Sequence, residues 1–110
     1  MNAPSPQELD LLHSNICQAL GDPKRILILY EIYNAPRNVT ALAQDLRMPQ
    51  PTVSRHLRVL RQRALVRPVR DGASVVYHLT DSRMIKVLDN MRLILRDSLS
   101  RQSSFMQQAD

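Results

Sequence analysis

The stretch Gln50-Pro51-Thr52-Val53-Ser54-Arg55-His56-Leu57-Arg58-Val59-Leu60 decides the fold. Val53, Leu57, Leu60 and the smaller Ala64 recur at i, i+4, i+7 and i+11, the apolar stripe of an amphipathic helix. At about 100° per residue from that stripe, Pro51, Arg55, Arg58, Val59 and Gln62 point away from the core, with Thr52 and Ser54 flanking them. Most of that outer face donates or accepts hydrogen bonds. From Leu46 to Arg70 there is no Asp or Glu, while Arg47, Arg55, Arg58, Arg61, Arg63, Arg67 and Arg70 all fall there. Solvated helical faces ordinarily mix signs to gain i,i+4 pairs, so an acid-free arginine run points to a polyanionic surface outside the chain.

Working outward, Asn38 can cap a short helix with Val39, Leu42, Ala43 and Leu46 on one face, and Arg47-Met48-Pro49 breaks it. Downstream, residues 65–69 and 74–79 are short β-branched runs around Arg70-Asp71-Gly72-Ala73, where Asp-Gly is a hairpin signal. Upstream, Ser5-Pro6-Gln7-Glu8 reads as a capping box opening a helix that runs to about residue 20. Gly21-Asp22-Pro23 stops it and starts a second helix, which Asn34-Ala35-Pro36 ends. After the cap Asp81, Met84, Leu88, Met91, Leu95 and Leu99 predict a long amphipathic fifth helix, with a frayed tail after Arg101. The expected fold is mainly α with a small β-hairpin wing, a winged helix-turn-helix of about five helices and two strands. Residues 1–110 are expected to form one domain, with the helix-turn-helix at about 38–63 and the wing at about 65–79. The first helix of the pair braces the second across double-stranded DNA, and wing arginines reach phosphates or the minor groove.

Composition bounds the rest. At 110 residues, 44% hydrophobic and 23% charged, with a formal charge of +5, the chain is expected to be one ordered basic domain. A chain this short gains from a second copy covering an apolar face. The lone Cys17 excludes an intrachain disulfide and suits a reducing compartment, so the cytoplasm is expected. Residues 1–8 lack a basic region followed by an apolar run, and the apolar cluster at 26–33 is too short to span a bilayer, so no membrane association is expected. Three histidines, one cysteine and two glycines offer no nucleophile beside a base and no phosphate-cradling loop, so neither an enzyme nor a cofactor is expected. A winged-helix module binding an acidic protein instead of DNA is the alternative, and salt dependence separates the two.

Ala19-Leu20-Gly21-Asp22-Pro23-Lys24-Arg25-Ile26-Leu27-Ile28-Leu29, Leu42-Ala43, the Gln50–Leu60 stretch, Leu65-Val66 and Tyr77-His78-Leu79 together resemble the ArsR/SmtB repressors. The likeness runs in order and spacing over roughly residues 16–99. It implies a homodimeric repressor paired through its first and last helices, dimerisation helices at about 6–20 and 82–101, and released from a pseudo-palindromic operator by an inducer. It also implies that Gln50, Thr52, Ser54 and Arg55 read bases while Arg58 and Arg70 hold phosphates. Chemically, Arg55 suits a guanine and Gln50 an adenine. His56 lies about 70° from the core axis by the same helical count, which leaves a half-buried packing role and a DNA contact as equal readings.

The sequence departs from the resemblance in places. Metal-sensing relatives carry Cys-x-Cys where this chain has Asn38, Val39 and Thr40, and others use Asp and His on the last helix, which here holds Asp89 and Asp97 without histidine. No complete metal site is therefore expected. Asp10, His13 and Cys17, at i, i+3 and i+7, share one face of the first helix as a potential intersubunit half-site, and Cys17 alone could be a redox switch, against the stronger reading of an inert packing cysteine. The inducer is then either a thiol-reactive agent or a small organic molecule. Arg47 and Pro49 replace the usual glycine and serine, which removes a serine cap from the recognition helix and allows its register to shift by a residue.

Overall fold

The computed structural model describes residues 1–109, with side chains described through residue 104. Helix α1 spans residues 6–20 as Pro6–Leu12, a π-helical turn His13–Cys17 and a last turn Gln18–Leu20. Helix α2 is Pro23–Asn34, α3 is Val39–Leu46 and α4 is Gln50–Gln62. Strands β1 (Val66–Asp71) and β2 (Ser74–Leu79) form an antiparallel hairpin, and α5 is Arg83–Ala109.

The expected caps form. Ser5 Oγ accepts from Glu8 N at 3.2 Å, Asp22 Oδ1 from Lys24 N at 2.8 Å, Asn38 Oδ1 from Ala41 N at 2.8 Å and Asp81 Oδ1 from Arg83 N at 2.9 Å. The core joins Ile28, Leu29 and Ile32 of α2, Leu42 and Ala43 of α3, and Val53, Leu57 and Leu60 of α4. Ala19 of α1, Val66 of β1, and Ile85 and Leu88 of α5 close it. The anticipated stripe of α4 is therefore the face that holds this helix to the core.

Four local expectations need correction. Ala64 lies beyond α4, exposed and left-handed at φ 58°, because the helix ends at Gln62 and the chain must turn into the hairpin. The hairpin loop is Gly72-Ala73, since Asp71 pairs with Ser74; positive φ falls on the first loop residue alone, the pattern of a type II′ turn. Helix α5 continues to Ala109, with no proline or glycine to stop it after Arg101. Gly21 has φ −76°, so no left-handed turn requires it; a Cβ there would meet Gln18 O at 3.3 Å.

A bridge the sequence does not advertise fixes the wing. Tyr77 N donates to Arg37 O at 2.8 Å, Asn38 Nδ2 donates to Ser74 Oγ at 3.1 Å, and the Arg37 guanidinium pairs with Asp45. Asn38 is thus committed to capping α3 and tethering β2.

Candidate nucleic-acid interface

The turn into α4 shows how the chain manages without a serine cap. Arg47 is left-handed at φ 54° and ψ 45°, a conformation that glycine adopts without steric cost. Pro49 occupies the cap position with no side-chain bond, and its carbonyl accepts from Thr52 N at 3.0 Å and Val53 N at 3.2 Å. Pro51 sits in the first turn, where a missing N–H leaves no broken bond.

On α4, Gln50, Arg55 and Arg58 are exposed, and Thr52 and Ser54 are half-buried on the flanks. Arg55 Nη2 donates to Thr52 Oγ1 at 3.4 Å. Arg70 is exposed near the tip of β1. His56 is half-buried and faces back into the protein: Arg25 Nη1 donates to its Nδ1 at 3.4 Å. Burial first of all pushes its imidazole below the ordinary value, with Arg25, Lys24 and Arg55 acting the same way against the attraction of Asp22.

The arginines up to Arg92 divide into two populations. Arg25, Arg37, Arg83 and Arg92 each meet a carboxylate of this chain. Among the described residues, none of the arginines from Arg47 to Arg70 does so. A charge that finds no internal counter-ion remains available to an external one, and here such charges are concentrated on α4, the segment after it and β1.

Within one chain Asp10, His13 and Cys17 do not form a metal-binding cluster; an intersubunit half-site would need the partner chain. Among the described residues no group of three or more His, Cys, Asp or Glu is placed to hold a metal ion, and a π turn begins directly at His13, changing the helical register between His13 and Cys17. Cys17 is exposed in the single chain, so it is not an inert core residue there. On α5, Asp89 is engaged by Tyr30 and Arg92.

Two side-chain arrangements escaped sequence reasoning. Arg25 links three segments: its Nε donates to Ala19 O at 2.6 Å and its Nη2 to Gln18 O at 3.1 Å, beside the contact with His56. Its place in Asp22-Pro23-Lys24-Arg25 was the available signal. The second is the cluster of Tyr30 with Asp89 and Arg92: the latter two are i, i+3 neighbours on α5, but Tyr30 lies too far away in sequence for any periodicity to join it to them.

A three-helix core with α4 laid across it and a hairpin beside it defines a winged helix-turn-helix DNA-binding protein. The family described as "Bacterial regulatory protein, arsR family" matches residues 22–67. The transcriptional regulator NmtR of Mycobacterium tuberculosis is 40% identical over 88 residues, covering 80% of this chain and 73% of NmtR. The repressor SmtB of the same species is 34% identical, over 78% of this chain and 64% of SmtB, just under two-thirds of that protein. Among solved structures, M. tuberculosis Rv0081 superposes with a TM-score of 0.76 at 28% identity, covering 90% of this chain and 98% of that one. NolR from Sinorhizobium fredii gives 0.72 at 30% identity, covering 86% and 96%. The chain belongs to the arsR family of bacterial regulatory proteins, and it is a DNA-binding transcriptional regulator.

Proposed function

We propose that the protein is a homodimeric repressor that reads a pseudo-palindromic operator through two copies of α4 and releases it on an inducing signal. The observation that carries this reading is the set of arginines from Arg47 to Arg70 left without internal carboxylates on α4 and the wing. Gln50, Thr52, Ser54 and Arg55 read base edges in the major groove, while Arg58 and Arg70 hold phosphates.

Dimerisation rests on the apolar surface that the single chain leaves uncovered. Leu9, Leu11 and Leu12 of α1, and Met91, Ile94, Leu95 and Leu99 of α5, are all exposed. The stripe of α5 changes character along its length: Ile85 and Leu88 are buried in the chain's own core, whereas Leu95 is 56% exposed. A partner placed against α1 and α5 buries that remainder and sets two recognition helices about 34 Å apart, one turn of duplex. One solved winged helix-turn-helix domain of similar fold is described as homodimeric.

Family membership among transcriptional regulators supports a regulatory role and disfavours the acidic-protein alternative. The cytoplasm, where its DNA target lies, is the proposed location; among the described residues no helix is long and apolar enough to cross a membrane. In this reading the inducer is a small organic molecule or a thiol-reactive agent acting on Cys17, which is exposed in the single chain.

Footprinting of the purified protein on the DNA upstream of its own gene tests the proposal. A protected site with two half-sites about one helical turn apart is the expected result; uniform, unprotected coating would refute it.

A further inference from the structure

Arg25 occupies an unusual position for a charged residue, with its side chain only 16% exposed at the junction of α1, α2 and α4. Every nitrogen of its fork has a partner: Nε bonds the carbonyl of Ala19, Nη2 that of Gln18, and Nη1 reaches His56 Nδ1 at 3.4 Å, with Asp22 Oδ2 at 3.8 Å. The two carbonyls belong to the last turn of α1, the helix whose apolar face is uncovered. His56 belongs to α4, directly after Arg55. The planar guanidinium therefore joins the end of one helix to the middle of another in a geometry that a lysine ammonium cannot copy.

We infer that Arg25 is a positioning residue for DNA recognition, holding α4 against the end of α1 through a neutral His56. This rests on the reading of α4 as the recognition helix. Because a guanidinium only donates, Nδ1 of His56 must accept, which requires the neutral ring carrying its proton on Nε2. Protonation places an N–H⁺ against Arg25, and the contact becomes repulsive. The charged groups facing the ring are Asp22, Lys24 and Arg25 from the start of α2 and Arg55 from α4 itself. Burial and the three cations oppose an imidazolium against the attraction of Asp22. Acid thus detaches α4 from its brace beside Arg55 and weakens operator binding. The sign is diagnostic, since a histidine touching phosphate directly would bind DNA more tightly when protonated.

The test is fluorescence anisotropy of the full-length protein on its upstream DNA at fixed ionic strength, from about pH 5.5 to about pH 7.5. Wild type, His56→Gln, which keeps an acceptor that cannot titrate, and Arg25→Lys are compared. The expected result is about a tenfold or greater loss of wild-type affinity in acid, reduced to under about threefold in His56→Gln. Arg25→Lys is expected to bind about tenfold more weakly at neutral pH. A loss in acid that persists unchanged in His56→Gln, or wild-type affinity that rises in acid, overturns the inference while the DNA-binding reading stands. Absence of operator binding by wild type at neutral pH overturns both. NMR of the His56 ring in the free protein supplies a readout independent of DNA and of any folding defect in the variants. An Nε2–H tautomer is expected, and an Nδ1–H tautomer contradicts the inference.

Discussion

Tyr30 Oη of α2 donates to Asp89 Oδ1 of α5 at 2.6 Å, joining the helix-turn-helix core to the long C-terminal helix. Arg92 completes the cluster, donating to the same Asp89 oxygen at 3.0 Å and lying 5.4 Å from the centre of the Tyr30 ring. The contact fixes where α5 leaves the core, and hence where its exposed apolar half is presented.

The tyrosine hydroxyl, more than Arg92, holds Asp89 below the usual carboxylate range. A carboxylate whose folded value is depressed adds stability above the unfolded value near 3.8 and loses that contribution as pH falls through its lower folded value. Tyr30→Phe is accordingly expected to lower the urea midpoint at neutral pH, with the gap to wild type narrowing in acid below about pH 4. Equal midpoints for the two proteins at neutral pH would show that the bond adds nothing.

Ala64 is held left-handed at φ 58° with no glycine to ease it. Ala64→Gly removes the steric cost but adds unfolded-state entropy, for a net gain of up to about 1 kcal/mol. Chemical denaturation measures it, and a destabilised variant would contradict the expectation. Arg47→Gly relieves the same kind of strain at φ 54° but also deletes a positive charge beside α4, so stability and DNA affinity are expected to move in opposite directions.

Arg55→Ala is expected to cost about 1–3 kcal/mol of operator binding and to relax preference at one base pair. Binding to a panel of single-base operator variants reads this directly. A loss of equal size on every sequence would make Arg55 a phosphate contact instead.

Leu95 stands clear of its own chain's core. Leu95→Glu should leave the monomer fold intact, as judged by circular dichroism, and weaken self-association by about a hundredfold or more, because each interface would then bury an unpaired carboxylate. Sedimentation of the variant as an undiminished dimer would place the interface elsewhere.

Much of this architecture is local and was therefore legible. The spacing of Val53, Leu57 and Leu60, the caps at Ser5, Asp22, Asn38 and Asp81, and the β-branched runs of the hairpin each express one helix or strand at a time. Counting failed where the backbone departs from regular geometry. Ala64 continues the stripe arithmetically but lies past the end of its helix, and the π turn at His13–Cys17 alters the regular spacing by which Asp10, His13 and Cys17 were placed on one face. The contacts of Arg25 with His56 and of Tyr30 with Asp89 join residues distant in sequence, and no periodicity encodes them. His56 shows the limit most clearly: its angle on the helix allowed two roles, and only the position of Arg25 separated them.

The central claim is that the unpaired arginines of α4 and the wing exist to meet DNA phosphates. Titration of the full-length protein against its upstream DNA over about 50–300 mM salt tests it, with Arg58→Ala and Arg70→Ala alongside. The account predicts that log K falls linearly and steeply with log salt, and that each substitution lowers the slope by about one while weakening binding on every sequence. A salt-independent affinity, or slopes unchanged in both variants, would contradict it.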